Sequence, residues 1–382
     1  MIALSRADDS LLANWWWTVD RWLLGALAFL LVSGLILNFG ASVPVAERLG
    51  LNPFFFAKRQ TVFLLLSFGL MFGLSLLSVD TIRRGAALML VPALVLLAMT
   101  LFFAPEYKGA TRWLQFFGLT VQPSEFVKPL LVLCWAWLFA GAIENPDFPG
   151  RLIAGLLFAI TALLLVLQPD IGQTALLFLV FMFQLVLAGL PAIWIGGMAG
   201  AGVLLSLLAY FLLPHVAARI DLFLDPSAGD SYQTDTALNA IRAGGLFGRG
   251  PGEGSVKKVL PDAHADYIFA VIGEEFGAIA CLAIILLFAG MALHSFHRLA
   301  SEDDNPFAFF AASGLIALFS IQAMINIAVN LALMPAKGMT LPFISYGGSS
   351  MLALGLTMGM VLALTRRNRF QGRTRFAIRR RA

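Results

Sequence analysis

The chain has 382 residues, of which 59% are hydrophobic and only 13% are charged, and its mean hydropathy is +0.85. This composition excludes a soluble globular domain, in which about 25% of residues are charged. The net charge of +4 does not indicate a nucleic-acid partner, because eight of the arginines lie in the last 17 residues. The two cysteines, Cys134 and Cys281, lie inside apolar runs, which argues against a disulfide framework.

Long apolar runs recur along the chain, and each is long enough to cross a hydrocarbon core of roughly 30 Å as a helix. The short alternating pattern of a transmembrane barrel is absent, so helices are the expected spanning form. We therefore predict an all-α polytopic membrane protein, a single membrane domain over residues 1–382 with ten transmembrane helices. The predicted spans are about 22–40, 61–78, 85–104, 123–141, 152–167, 171–190, 192–213, 266–293, 307–333 and 348–364.

Three polar segments are predicted to lie outside the membrane. Residues 1–21 form an N-terminal tail, residues 365–382 form an arginine-rich C-terminal tail, and residues 214–265 form a large loop between helices 7 and 8. That loop is too long for an ordinary connection. An even number of spans places both termini on one side, and the tail and Arg83-Arg84 lie beside helix ends, which favours a cytoplasmic location for both termini. The 214–265 loop is then expected to be extracytoplasmic.

Asp266 lies where this loop meets the eighth apolar run. Partial removal from water would raise the pKa of its carboxyl group and suit it to proton abstraction, and an N-cap role is the alternative. Glu274 lies about 80° around a helix and roughly 12 Å further along it, so it can share a cavity with Asp266. Glu275 falls on nearly the opposite face. His264 is either an interfacial polar residue or part of the site.

The residues before Asp266 carry weaker signals. The glycines between 244 and 254 predict a flexible loop, and Lys257 and Lys258 are expected to be solvated surface charges. No spacing of His, Cys, Asp and Glu indicates a dedicated metal site. A divalent cation, Mg²⁺ or Mn²⁺, that bridges substrate phosphates to Asp266 is an open alternative to having no cofactor.

Several charged residues lie near the predicted helix ends on the same side as the large loop. Glu125 and Lys128 are three residues apart and can pair on one helical face. This pair is either structural or, with Arg112 and Lys337 as further cations, part of a pocket for an anionic headgroup. Asp170, in the break QPDIG, either caps the sixth helix or lines the cavity.

Four motifs follow one another along the chain: QPSEFVK, QPDIGQTALL, GRGPGEGSVKKVLPDAHADYIFAVIGEEFG and PAKGMTLPFISYGGSS. With the ten-helix layout they cover essentially the whole chain and resemble the SEDS family of bacterial shape, elongation, division and sporulation proteins. PAKG and GPGEGSVKK resemble the division-type members more than the elongation-type members. Ala265 departs from the family pattern, in which many members have threonine.

The resemblance implies a peptidoglycan glycosyltransferase that polymerises lipid II, forming β-1,4 bonds with inversion and releasing undecaprenyl pyrophosphate during septal cell-wall synthesis. Asp266 matches the essential aspartate of the family and would act as the general base. Arg112, Lys128 and Lys337 would neutralise the departing pyrophosphate. The implied location is the bacterial inner membrane at the division septum. The implied partners are a class B penicillin-binding protein transpeptidase of the FtsI type and other divisome membrane proteins, with no nucleic acid.

Two other functions are compatible with the same residues. A lipid II flippase would use Glu125, Lys128, Asp170 and Glu274 as a passage for the headgroup. A division scaffold would act through the tails. The polar residues cluster toward the outer helix ends rather than through the bilayer centre, which favours the enzyme.

Overall fold

The computed structural model describes residues 10–106, 110–116, 119–212, 214–225, 232–300 and 305–366. The first nine residues of the predicted N-terminal tail, residues 226–231 of the predicted large loop and most of the predicted arginine tail lie outside these ranges.

The described residues form thirteen α-helices, one short antiparallel hairpin and a 3-10 turn at Val256–Lys258. In chain order the elements are α1 (Leu11–Thr18), α2 (Arg21–Arg48), α3 (Phe55–Ser75), α4 (Val79–Phe103), β1 (Leu114–Phe116), β2 (Leu119–Val121), α5 (Pro123–Glu144), α6 (Gly150–Leu167), α7 (Ile171–Leu187), α8 (Ala192–Leu212), α9 (Pro214–Leu224), α10 (Tyr232–Gly244), α11 (Ile268–Ala300), α12 (Pro306–Asn330) and α13 (Gly348–Leu364).

Ten of these helices are apolar membrane spans. Eight are long and apolar enough to cross a bilayer, and the two shorter apolar helices, α7 and α13, have 17 residues each. A helix of that length reaches about 25 Å, the lower end of the spanning range. The predicted polytopic fold with ten transmembrane helices is confirmed.

The predicted connection between the second and third spans is wrong. Residues 79–84 are the first turns of α4, whose N-cap is Ser78. The Ser78 hydroxyl accepts a hydrogen bond from the amide of Thr81 at 3.2 Å, and Asp80 pairs with Arg83 at 3.0 Å. A capping hydroxyl and an acidic first turn start a helix outside the hydrocarbon, where hydropathy gives no signal.

The centre of the bundle consists of α5 and α12. In their most apolar stretches 67% and 72% of the residues are buried, whereas none are buried in α8. The apolar side chains of α8 therefore face lipid, while α5 and α12 carry the polar side chains on which a site can be built.

The large loop between α8 and α11 is folded, because α9, α10 and the 3-10 turn lie within it. It is attached to α11 at a break in that helix, where Gly277 has φ 80° and ψ 179°. Only glycine adopts such a conformation at little cost. Four backbone hydrogen bonds join the glycine-rich segment to α11 at this break: Arg249 N to Glu274 O (2.9 Å), Gly250 N to Glu275 O (3.0 Å), Ala278 N to Gly245 O (2.9 Å) and Ile279 N to Leu246 O (3.3 Å).

The prediction of a flexible loop is therefore wrong for residues 244–250. Gly248 has φ 82°, and a Cβ atom there would collide with the backbone of Glu275. The glycines permit the loop backbone to lie directly on α11, so their close approach is to protein and not to a ligand.

Candidate active site

A cavity of about 280 Å³ lies at the end of the bundle that carries the α9–α10 loop. Its walls come from α3, the β-hairpin, the loop that precedes α11 and the segment between α12 and α13. All four sequence motifs contribute to the lining, through Glu125, Gln173, Asp266 and Thr340 among others. Segments far apart in the chain are thus brought to one polar cavity, which is the usual geometry of a small-molecule site.

Asp266 lines this cavity at the turn before α11. Its amide donates to Asp262 O at 3.0 Å, and its carbonyl oxygen accepts from the side-chain amides of Asn326 and Asn330, both at 2.9 Å. The carboxylate lies against Gly338, where a Cβ atom would be 3.1 Å from Oδ2. The backbone of Asp266 is held from two sides while its carboxylate lies at the cavity wall beside PAKG.

His264 also lines the cavity, with 6% of its surface exposed. Its ring lies 4.5 Å from the ring of Phe56 and 5.1 Å from that of Tyr346, centroid to centroid. Burial lowers the pKa of His264 to about 4, so the imidazole is neutral near pH 7. Its Nδ1 has no hydrogen-bond partner among the described residues, which leaves a polar atom beside the cavity.

Asp170 does not line this cavity, and neither do the two cations with which it pairs, Arg112 and Lys337. Its buried carboxylate is 3.7 Å from Nε of Arg112 and 3.4 Å from Nζ of Lys337. Arg112 also donates to the carbonyl oxygens of Gln168 and Pro169. Asp170 occupies the N-cap position of α7, but its side chain makes no capping hydrogen bond. The side-chain capping alternative is therefore wrong, and Asp170 instead holds Arg112 and Lys337 together.

Arg219, on α9, is a third cation in this group and carried no sequence signal. Burial and the charge of Arg112 lower the pKa of Arg219, although its side chain keeps an exposed surface. Burial also lowers the pKa of Lys337 to about 8, with Arg112 and Arg219 contributing and Asp170 opposing. Three cations around one carboxylate create an excess of positive charge that attracts anions. Lys337 directly precedes Gly338, which lies against the Asp266 carboxylate.

Glu125 and Lys128 pair as predicted, with Nζ and Oε2 3.0 Å apart. Lys128 Nζ also donates to Gln173 Oε1 at 3.0 Å and to Gln322 Oε1 at 3.2 Å. Gln173 in turn donates to Glu125 Oε1 at 2.8 Å. These contacts occupy all three donors of the ammonium group. Glu125, Gln173 and Gln322 form part of the cavity lining, whereas Lys128 lies behind them with 2% of its surface exposed.

Glu274 is not a neighbour of Asp266 in this cavity, contrary to the sequence prediction. It is fully buried, and its two carboxylate oxygens accept from the amides of Val256 at 2.7 Å and Lys257 at 2.8 Å. The helical projection failed because α11 begins at Ile268, after Asp266. The loop also folds back over α11 and takes up the carboxylate.

Lys257 is buried and not the solvated surface charge that the sequence predicts. It forms an ion pair with Glu275 and donates to Gly40 O at 3.1 Å, and both members of the pair are less than 5% exposed. Glu275 thus pairs with the loop and lies outside the cavity lining. Glu274 and Glu275 therefore both fix the loop to α11.

No group of three or more His, Cys, Asp and Glu side chains suited to a metal ion occurs in the part of the chain that the structure describes. Asp262 and Asp266 both line the cavity. A divalent cation there would need further ligands from substrate phosphates, so Mg²⁺ or Mn²⁺ stays a prediction without a dedicated protein site.

Comparisons with known proteins match nearly the whole chain. The family model for FtsW, RodA and SpoVE, described as cell cycle protein, matches residues 21–370. The probable peptidoglycan glycosyltransferase FtsW of Caulobacter vibrioides is 48% identical over 366 residues, which cover 96% of this chain and 94% of that protein. The protein of the same name from Escherichia coli O157:H7 is 34% identical over 364 residues, with 92% and 87% covered.

Solved structures have the same fold. A chain from the study "Structural coordination of polymerization and crosslinking by a peptidoglycan synthase complex" has a TM-score of 0.76 and 27% identity, covering 92% of this chain and 99% of that one. The rod shape determining protein RodA of Thermus thermophilus has a TM-score of 0.65 and 25% identity, with 92% and 97% covered. Each of these two structural matches covers 92% of this chain.

Proposed function

The chain belongs to the SEDS family, the FtsW, RodA and SpoVE group of cell cycle proteins, and on that basis we propose that the residues around Asp266 catalyse the polymerisation of glycan strands. The protein is a multi-pass membrane peptidoglycan glycosyltransferase of the division type. Its proposed substrate is lipid II, which serves both as the donor and as the acceptor of the growing strand. The observation that carries the proposal is the position of the Asp266 carboxylate in a polar cavity, against Gly338, the residue that follows Lys337.

The bond-forming step uses Asp266 as a general base. Its carboxylate takes the proton from the 4-hydroxyl of the acceptor GlcNAc as that oxygen attacks C1 of the donor MurNAc. The C1–O bond to the pyrophosphate breaks, and its electron pair leaves with undecaprenyl pyrophosphate. A single displacement inverts the anomeric centre, so an α-linked phosphate gives a β-1,4 bond.

The cations around Asp170 stabilise the departing pyrophosphate. Lys337 and Arg112 are held by one carboxylate at 3.4 and 3.7 Å, so they are oriented before substrate arrives. Preorganised charge of this kind stabilises a developing anion without reorganisation during the reaction. Arg219 adds a third positive charge to the same group.

The remaining cavity residues contact the sugars in this proposal. Neutral His264 has a buried Nδ1 without a partner among the described residues, and this atom suits a hydrogen bond to a substrate hydroxyl or acetamido group. Glu125 lines the cavity with its charge balanced by Lys128, so it provides acceptors without repelling the pyrophosphate. Lys128 contributes through the charge of this pair and not through a free donor.

We assign the cavity to the extracytoplasmic side and both termini to the cytoplasm. Basic residues mark the opposite end of the bundle, where Arg298 donates to Thr365 O at 2.8 Å and Arg366 donates to Leu77 O at 2.7 Å. Arg83 and Arg84 begin α4 next to Leu77. The positive-inside rule favours this end as cytoplasmic. The similarity to division-type relatives supports a septal location in the inner membrane.

The proposed partner is a class B penicillin-binding protein transpeptidase, together with other divisome membrane proteins. Support comes from the structural neighbour that belongs to a peptidoglycan synthase complex coordinating polymerization and crosslinking. A polymerase and a crosslinking enzyme in one complex would join each new strand to the wall as it forms.

The geometry favours the polymerase over a lipid II flippase. Four residues would line such a passage. The Glu274 carboxylate already accepts hydrogen bonds from two amides of the loop, and the Lys128 ammonium already contacts three acceptors. Asp170 and Glu125 lie at the cavity end of their helices. A passage would instead require polar groups through the depth of the bilayer.

The proposal is tested with purified protein in detergent, with and without its class B partner, supplied with lipid II. Products are separated by gel electrophoresis. We expect glycan strands and released undecaprenyl pyrophosphate, at least in the presence of the partner. If neither preparation forms glycan while the same protein moves lipid II between the leaflets of a vesicle membrane, the protein is a transporter and the proposal is wrong.

A further inference from the structure

A ladder of three amide side chains follows one face of α12. Gln322, Asn326 and Asn330 are spaced by four residues and are 3%, 1% and 0% exposed. Residues four apart lie above one another on a helix. Buried polar side chains are costly inside a membrane, so three in a row on a central span indicate a specific role.

Asn326 joins the two segments that carry the reacting groups. Its side-chain nitrogen donates to Asp266 O at 2.9 Å and to Met339 O at 2.6 Å. A carboxamide has two N–H donors, so both are committed, one to each segment. Met339 lies two residues from Lys337 and next to Gly338, which contacts the Asp266 carboxylate. A single side chain thus spans the segment of the base and the segment of the cation.

The other two side chains of the ladder, Gln322 and Asn330, each bond to one of these segments. Gln322 donates to the carbonyl and hydroxyl oxygens of Thr340 at 3.2 and 3.3 Å. Asn330 donates to Asp266 O at 2.9 Å and accepts from the amide of Ala270 at 3.0 Å. Of the three side chains, Asn326 is the one that donates to both segments.

We propose that Asn326 is a positioning residue that fixes the Asp266 carboxylate relative to the Lys337 cation. The inference rests on the proposed polymerase reaction, in which proton removal and pyrophosphate departure occur together. The two groups lie on different segments, and a further hydrogen bond joins these segments, from Tyr346 N to His264 O at 2.9 Å. Along the chain, Tyr346 lies farther from Lys337 than Met339, the residue that Asn326 holds. Loss of Asn326 is therefore expected to let the base and the cation move relative to each other while the fold is kept.

The variant Asn326→Leu has nearly the same shape and removes both donors. We expect kcat for lipid II polymerisation to fall on the order of 10²-fold, the effect of a displacement of about 1 Å at a reacting centre. KM is expected to change less than about threefold, because Asn326 does not line the cavity.

Gln184→Met provides a matched control. Gln184, on α7, is also fully buried, and its amide donates to two backbone carbonyl oxygens, Val132 O at 3.2 Å and Phe310 O at 3.0 Å. It lies outside the cavity lining. We expect Gln184→Met to lower the Tm as much as Asn326→Leu does while it keeps kcat within about twofold of the wild type.

A spectroscopic measurement follows the segments directly and needs no activity. Nitroxide labels are placed at Val259 and Leu333, whose side chains are 51% and 67% exposed. We expect the distance distribution between them to broaden in Asn326→Leu and to stay unchanged in Gln184→Met. The inference is overturned if Asn326→Leu keeps its kcat, if Gln184→Met loses as much kcat, or if the label distances are the same in both variants. A wild type without glycan product refutes the proposed function, and the label distances then still decide whether Asn326 holds the two segments.

Discussion

In the proposed mechanism, the pH dependence of the reaction follows the protonation of one side chain, Lys337. Burial lowers the pKa of Lys337 to about 8, with Arg112 and Arg219 contributing to the shift. The ammonium form, which neutralises pyrophosphate in the proposed mechanism, is present below pH 8 and lost as the pH rises through that value. The residue to which the proposed mechanism gives the departure of the leaving group therefore titrates near pH 8.

We expect kcat/KM for lipid II to fall above about pH 8 in the wild type, because the profile reports groups of the free enzyme. In Lys337→Arg the decline is expected to move to higher pH, since a guanidinium stays charged. The measurement is the pH profile of both proteins. A decline at the same pH in both would show that another group titrates there.

Arg219 provides a second test at the residue scale. Arg219→Gln removes one of three cations near Asp170, and we expect kcat/KM to fall about 10- to 100-fold, the usual effect of losing a charged hydrogen bond. Arg242→Gln is the control, because Arg242 lies exposed on α10 within the same large loop. Equal effects of the two substitutions would indicate a general loss of loop charge.

The break in α11 is the element that attaches the large loop to the membrane bundle. Gly277→Ala places a Cβ atom against the backbone of residues 246 and 248 at a positive φ. We expect a loss of at least about 2 kcal/mol in the free energy of unfolding and faster amide exchange over residues 244–258. Gly290→Ala on the same helix is the control, since the nearest atom to its Cβ would be 3.7 Å away. Slow exchange retained in Gly277→Ala would contradict this role of the break.

The ion pair between Lys257 and Glu275 stabilises the same attachment. Lys257→Met leaves the Glu275 carboxylate buried without its cation, which is expected to cost about 3–5 kcal/mol. Lys258→Met changes the neighbouring exposed lysine and is expected to alter stability by less than about 0.5 kcal/mol. Thermal unfolding in detergent measures both. The buried pair carries little stability if the two variants unfold at the same temperature.

At the scale of the whole molecule, the number of spans could be predicted because apolar length alone decides whether a segment crosses a bilayer. The ends of the helices could not, since a cap such as Ser78 starts α4 within a polar sequence. Asp266, His264 and Glu125 could be placed in one cavity because they belong to recognisable motifs. Their roles in the reaction stay predictions until measured.

The positions predicted from the sequence for Glu274 and Lys257 are wrong for one physical reason. Their contacts depend on the loop folding back over α11 at Gly277, and a positive φ at one glycine leaves no periodic pattern in the sequence. Arg219 was missed for a related reason. Its neighbours Arg112, Asp170 and Lys337 come from three distant segments that meet only in the folded bundle.

The central claim is that the carboxylate of Asp266 removes the proton of the attacking hydroxyl. The most direct test is the rate at which purified Asp266→Asn, assembled with its class B partner, converts lipid II to glycan. Asp147→Asn serves as the control, because Asp147 is exposed in the connection between α5 and α6. We expect Asp266→Asn to be slower by about 10²- to 10⁴-fold with the same Tm as the wild type, and Asp147→Asn to keep the wild-type rate. Glycan formation by Asp266→Asn at the wild-type rate would contradict the assignment of Asp266 as the base.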